Sequence, residues 1–320
     1  AAELNQLEQR SQAPLLRAAA WFYLANATSD PQEAGRGFDL CLTLLEQAER
    51  LPGLGAEFCF FADRTNLLAM TYFRYALRLI DETGAYDHAE KLATASLRLF
   101  EQMGNRDMIA YPLGALGHLA LLRGDLTRAH RLLQEAVSIA TAVGNRMSLG
   151  DWQPKLGIVT FYLGDVTTAR QILQDSLRLW LDLKNNVFLA RIYGYLAEVA
   201  CAEGAYEEAA RAVGQSLSYQ AHLRWLSTEV VDCLWVAVLL ATAQQQYTQA
   251  AMHFGLAEQV RRRIHYPGNG VMQPAVDAAL ATVQAALEPA AFAKAFAAGR
   301  EMALEQAFAT ILVASSKAAM

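Results

Sequence analysis

Four glycines, Gly84, Gly124, Gly164 and Gly204, fall at an unvarying interval of 40 residues, and each opens the same short string. Gly84-Ala85-Tyr86-Asp87-His88-Ala89 returns as Gly124-Asp125-Leu126-Thr127-Arg128-Ala129, as Gly164-Asp165-Val166-Thr167-Thr168-Ala169 and as Gly204-Ala205-Tyr206-Glu207-Glu208-Ala209. A period of roughly 20 to 50 residues commits a chain to stacked supersecondary units, because each unit buries its apolar face only against the next. The residues that follow keep step as well. Leu92, Leu132, Ile172 and Ala212 lie three after the alanine, Ala93, Leu133, Leu173 and Val213 four, and Leu97, Val137, Leu177 and Leu217 eight. Offsets of three, four and eight line one face of a helix.

Each recurring residue type has a physical task. The glycine is expected to end a first helix, since a left-handed residue after the C-cap costs least without a Cβ. Tyr86, Leu126, Val166 and Tyr206 plug the turn. Ala89, Ala129, Ala169 and Ala209, with Ser96, Ala136, Ser176 and Ser216 two turns on, let the second helix lie close to the first. A larger side chain there would be overpacked, at roughly 1 to 3 kcal/mol. Gly104-Asn105 and Gly144-Asn145 close two of the second helices and send the chain back.

The ends of the chain are less regular. Pro14 opens a helix through Trp21-Phe22-Tyr23-Leu24, which Ser29-Asp30-Pro31 breaks. Gly37-Phe38-Asp39-Leu40-Cys41 reads as a degenerate turn unit with Cys41 at the alanine position, and Phe58 to Asp81 as one long helix. A fifth copy, Gln246-Tyr247-Thr248-Gln249-Ala250, has lost its glycine and lies 41 residues after the fourth. Beyond Arg263 come a loop, His265-Tyr266-Pro267-Gly268-Asn269-Gly270, and three helices, Pro274 to Leu287, Pro289 to Ala298 and Met302 to Ala314. They predict a helical cap that covers the apolar end of the array. Three regions follow: irregular N-terminal helices with a degenerate first repeat (1–57), regular repeats (58–265) and the cap (266–320).

A net charge of −5 argues against nucleic acid as a direct partner, because phosphate binding needs a clustered positive surface. The one basic run, Arg261-Arg262-Arg263, sits where cations complement a helix C-terminus. Val230 to Ala243, the most apolar run, is too short for a bilayer and contains Asp232. Cys41, Cys59, Cys201 and Cys233 are isolated among apolar residues and read as small core side chains. With Ala1-Ala2-Glu3 opening directly into a polar helix, the expectation is a reduced, cytoplasmic protein, present here as an excised fragment without signal peptide.

Chemistry is sparse. There is no G-x-x-x-x-G-K-[ST] to cradle a nucleotide, no Gly-x-Ser-x-Gly, and no H-E-x-x-H among the six histidines His88, His118, His130, His222, His253 and His265. Glu207-Glu208 lies in the first turn of a helix, where the dipole favours it. Trp180, Trp225 and Trp235 read as packing between repeats. No catalytic residue, metal ligand or cofactor is expected, so the sequence points to a binding surface.

The order Leu-Gly, then Ala twelve residues after the Gly, then a small residue seven further on, resembles the tetratricopeptide repeat. Leu116-Gly117, Ala129 and Ala136 carry it, as do Leu156-Gly157, Ala169 and Ser176; Leu196-Ala197 departs by one methyl. A unit of 40 residues exceeds the usual 34 of that repeat, so helices or loops are extended. From Phe254 onward the resemblance sharpens. Phe254-Gly255-Leu256-Ala257-Glu258, Ala278-Ala279-Leu280, Ala291-Phe292, Gly299-Arg300 and Met302-Ala303-Leu304-Glu305-Gln306-Ala307 look like the end of the repeat domain in bacterial signal-transduction ATPases with numerous domains (STAND). These are similar to the maltose-operon activator and to antibiotic regulators. The resemblance spans roughly 58–312. It implies an all-α, right-handed α-solenoid of tetratricopeptide-like hairpins with a C-terminal helical cap.

It also implies a concave side lined by the first helix of each pair. Carried over by register, the inward positions are Arg74 and Arg78, then Tyr111 and His118, then Asp151, Lys155 and Tyr162, then Arg191, Tyr195 and Glu198, then Asp232 and Trp235. Charges mixed with Tyr and Trp suit peptide or small-molecule recognition, since aromatics and Arg dominate binding hot spots; the plain alternative is a solvated wall. The implied function is the sensor arm of a STAND regulator, binding an inducer or partner protein and signalling to an adjacent ATPase module, with no direct nucleic-acid or membrane contact. A self-standing repeat scaffold for protein–protein interaction is the rival.

Overall fold

The turns between helices fix the register of everything else. A computed structural model describes residues 14–28, 30–49, 64–223, 228–264, 266, 268–304 and 306. In it Gly84, Gly124, Gly164 and Gly204 take positive φ, from 65° to 95°. Asp125 and Asp165 then cap the helices that follow, their carboxylates accepting from the backbone N–H of Arg128 and Thr168. At the return turns Gly104 and Gly144 are left-handed at 65° and 69°, and Lys184 takes the same place at 51°. Asn145 and Asn185 cap the helices after those turns. Gln245, at φ 60°, stands where the fifth copy has lost its glycine.

All regular secondary structure among the described residues is helical. The N-terminal helices are α1 (Pro14–Ala27), α2 (Pro31–Glu49), α3 (Arg64–Glu82), α4 (Tyr86–Gln102) and α5 (Arg106–Leu122). Then come α6 (Leu126–Val143), α7 (Arg146–Tyr162), α8 (Val166–Leu183), α9 (Asn186–Ala202) and α10 (Tyr206–Ala221). The last four are α11 (Thr228–Ala243), α12 (Tyr247–Arg263), α13 (Gln273–Ala286) and α14 (Pro289–Glu301). They pack as consecutive pairs, an α-solenoid arrangement of helical hairpins. Two compact units result, Ala1–Leu116 and Gly117–Met320.

In the first unit α1 pairs with α2 and α3 with α4. The turn expected at Gly37 is not there. Pro31 opens α2, and Asp30 Oδ1 accepts from the N–H of Gln32 and of Glu33, so Gly37 falls inside the helix. A Cβ on Gly37 would stand 2.9 Å from that of Ala25, so this glycine serves a close contact between helices rather than a turn. The register moves with it: Ala34, fully buried, takes the place of Ala89, and Cys41 that of Ser96. The Ser96 hydroxyl donates to the Ala69 carbonyl at 2.8 Å. The helix expected from Phe58 is seen from Arg64, and 58–63 lie outside the described residues.

The second unit carries the Leu-Gly signature. A Cβ on Gly117 would come within 2.8 Å of Leu133 Cγ, and one on Gly157 within 2.9 Å of Leu173. Where the third copy has Ala197, the register places the smaller Val213 opposite, and both sit in one buried cluster. Side-chain volume is thus traded across the helix pair, as close packing requires. The cap closes on α12. A Cβ on Gly255 would be 2.0 Å from the Phe296 carbonyl oxygen, and one on Gly299 1.9 Å from that of Met252, so α12 and α14 touch backbone to backbone. The expected final helix, Met302 to Ala314, falls largely outside the described residues.

Cys41 and Cys233 are buried and Cys201 partly so, while Cys59 and Trp225 lie outside the described residues. Among the described residues no helix is long and apolar enough to cross a membrane.

Candidate functional site

Of the inward positions, three belong to the first unit. Arg74 Nε donates to Asn26 Oδ1 at 2.7 Å, and Arg78 Nη2 to the Thr28 carbonyl at 2.9 Å. Both tie α3 to the end of α1. Arg78 also pairs with Glu82 at 3.0 Å. Burial pushes the Glu82 carboxyl up to about 7; Arg78 opposes the rise, and Asp81 and Asp30 add to it. Tyr111 lies against Phe73, ring centroids 5.2 Å apart.

The other nine belong to the second unit, where they lie along the first helices as a polar seam bonded in separate groups. α7, α9 and α11 pack side by side, and His118, near the end of α5, feels the charges of all three. Arg191 is the hub: Nε donates to Glu229 at 2.6 Å and Nη1 to Asp151 at 3.4 Å, while Cζ lies 5.8 Å from the centre of the Phe188 ring. Lys155 Nζ sits 5.5 Å from the centre of the Trp152 ring and donates to the Asp151 carbonyl. The Tyr162 hydroxyl donates to Glu198. Tyr266, beyond α12, donates to both oxygens of Asp232 at 3.2 and 3.4 Å and stacks on Trp235.

Protein encloses part of the seam, while the side chains of Arg191, Glu229 and Asp151 keep 11%, 16% and 27% of their exposure. His118, Lys155, Tyr195, Glu198 and Trp235 are each at most 9% exposed. Such burial makes the charges unequal. Burial would raise Glu229, but Arg191 and Lys155 override it and hold the carboxylate below the usual range. Arg191 in turn is held more firmly protonated: burial disfavours its charge, and Glu229 and Asp151 more than compensate. Burial, with Lys155 and Arg191 close by, keeps the His118 imidazole well below its ordinary value and hence neutral at neutral pH. At the other end the balance reverses. Burial pushes Glu198 up to about 7, with only the Tyr162 hydroxyl opposing. Burial, then Glu198 and Glu229, push Asp232 well above the carboxylate range despite bonds from Tyr266 and Asn269. The seam therefore has an ion-paired end at Arg191 and a proton-holding end at Glu198 and Asp232.

Three members escape the register argument: Glu229, Tyr266 and Asn269. Glu229 had a signal in the sequence, since it lies three residues before Asp232 on an otherwise apolar helix and so shares its face. Tyr266 and Asn269 come from a loop outside the repeats and had none.

Among the described residues no group of three or more His, Cys, Asp or Glu is placed to hold a metal ion. One open depression lies on the exposed face of α4 between Asp87, Lys91 and Arg98. What the geometry defines is a helical-hairpin repeat protein with a partly buried ionisable seam on its first helices. No protein-family model matches the chain, and no curated protein matches it by sequence.

Proposed function

We propose that the chain is a recognition arm. The first-helix faces of the second unit bind a peptide, a protein partner or a small-molecule inducer, and in a STAND-type regulator that occupancy would bias a separate nucleotide-binding module. The observation that carries this reading is the seam itself. Buried ion pairs rarely add stability over apolar packing of the same volume, because desolvation cancels their attraction. Keeping six ionisable side chains, Asp151, Lys155, Arg191, Glu198, Glu229 and Asp232, on helices that pack with leucine and alanine elsewhere needs another reason, and perturbed ionisable groups concentrate at functional sites. The STAND assignment is supported by the Phe254 to Ala307 string. Coupling requires that a ligand bind one state of the regulator more tightly than the other.

The test is a thermal-shift screen of the purified chain against metabolite and peptide libraries, with each hit repeated on Glu198→Gln. Hits that weaken at least about tenfold, a difference of about 1.4 kcal/mol, support recognition at the seam; hits indifferent to the change place the site elsewhere. Titrating a hit into the full-length protein while following bound nucleotide then separates the sensor from a plain scaffold, for which nucleotide affinity does not move.

A further inference from the structure

The face of the seam is occupied by the chain's own loop. Tyr266 is 3% exposed and Asn269 5%, and Met272 is buried in the same cluster as Trp235. Gly268 has φ of 111°, and a Cβ there would stand 3.0 Å from Trp235 Cη2. A Cβ on Gly270 would stand 2.8 Å from the Leu122 carbonyl at the end of α5. Trp235 belongs to α11, the last first-helix of this unit, and Leu122 to α5, the earliest. Two residues of extended chain span about 7 Å, so Leu122 and Trp235 approach the same short loop within that reach.

We propose that Tyr266 and Gly268–Met272 form a strap, a built-in occupant of the recognition surface that must leave before an outside ligand can reach Asp232, Glu198 and Trp235. This rests on reading the second unit as a recognition surface and adds how access to it is controlled. The strap's polar hold on the helices runs through Asp232, which takes the Tyr266 hydroxyl and the Asn269 amide, and through Arg261, whose Nη1 donates to the Tyr266 carbonyl at 3.4 Å. Its backbone bonds reach both flanking helices, and one lies within the strap. Tyr266 N–H donates to the Arg261 carbonyl, Val271 N–H to Asn269 Oδ1 and Gln273 N–H to the Asn269 carbonyl. At one end α12 is closed before the strap by Ile264 bonding back to Arg262 and Val260; at the other, Met272 caps α13, whose first turn would fray on release. A ligand that takes its place would repeat its chemistry, an aromatic face for Trp235 and hydrogen-bond donors for Asp232.

Hydrogen exchange and a synthetic peptide of residues 264–273 test the strap on the whole chain. Tyr266→Phe keeps the ring and loses the hydroxyl bond. It should speed exchange at Val271 and Gln273 by about tenfold, with protection in α7 and α9 unchanged. Tyr266→Ala/Asn269→Ala should bind the labelled peptide by fluorescence anisotropy where the wild type does not. Strap amides that exchange only in step with α9 and α11, or a folded double variant that ignores the peptide, overturn the proposal. Should the double variant fail to fold, the Tyr266→Phe exchange rates decide. Peptide capture without any library hit leaves the strap standing and removes the sensor; library hits on a chain whose strap never opens do the reverse.

Discussion

Gly299 is where one methyl group should do the most damage. An alanine Cβ there would stand 1.9 Å from the Met252 carbonyl oxygen, 2.8 Å from its carbon and 3.0 Å from Leu256 N. All three are backbone atoms of α12, so no side chain can swing aside and α14 itself must move. Carbon meets a carbonyl oxygen comfortably at about 3.3 Å, so the helices must part by more than about 1 Å, and buried Ala295 loses contact along with them. Overpacking costs roughly 1 to 3 kcal/mol where side chains can yield. With rigid backbone on both sides the expected cost is at the top of that range, about 3 kcal/mol. Stacked repeats need not unfold in one step, so the assay should be local. At about tenfold per 1.4 kcal/mol, hydrogen exchange in α14 should quicken by about a hundredfold. Gly194→Ala is the matched control: its Cβ would meet only Ser216 Oγ, at 3.6 Å. Replacing a mid-helix glycine with alanine there should stabilise α9 by about 0.5 to 1 kcal/mol. If Gly299→Ala leaves α14 as protected as before, the backbone contact is not what joins the cap to the repeats.

Three further outcomes follow from the same structure. Arg191→Ala strands Glu229 and Asp151, at about 3 to 5 kcal/mol, and Arg191→Ala/Glu229→Ala should recover at least about 1 kcal/mol of it; urea titration followed by tryptophan fluorescence reads both, and a strictly additive double variant refutes the pairing. Glu198 rises from 4.5 to about 7 on folding, so the folded chain keeps a proton the unfolded chain has released. The stability this contributes is full below pH 4.5 and is lost as pH climbs to 7, by about 3 kcal/mol. Glu82 pulls the same way, so the quantity to plot is wild type minus Glu198→Gln, and a difference flat across that window defeats the reasoning. Gly124→Ala, at φ 79°, should cost about 1 to 2 kcal/mol and Lys184→Gly, at φ 51°, should gain about 1 kcal/mol; two thermal melts moving in the same direction would show that the turns are not governed by left-handed strain.

Much of the fold was legible because its determinants are local. A glycine after a helical face, followed by a small residue five on, needs no knowledge of the rest of the chain, and the 40-residue spacing multiplies the signal. The errors have local causes too. Gly37 misled because a glycine that lets two helices touch has the same letter as one that ends a helix, and only the Asp30 cap ahead of it tells them apart. Lys184 and Gln245 hid two left-handed turns because neither is the residue such a turn prefers.

The candidate site divides along the same line. Asp151 and Arg191 occupy the same place in successive repeats, 40 apart, and register alone set them side by side; the structure adds that they bond. Register says nothing, however, about how tightly first helices close on one another, and that closure decides whether a polar column is an open wall or a buried seam. Here Leu122 and Trp235 both meet one short loop, and the column is covered at its Asp232 end while Asp151 stays 27% exposed. That cover changes its chemistry. In water Glu198 and Asp232 would be ordinary carboxylates that any solvated cation could approach; enclosed, they hold protons and take donors from Tyr162 and Tyr266. A partner that brought a cation or better donors to them would release those protons, so binding at this end of the seam should be coupled to pH, while binding at the Arg191 end, where charge is already matched, should not.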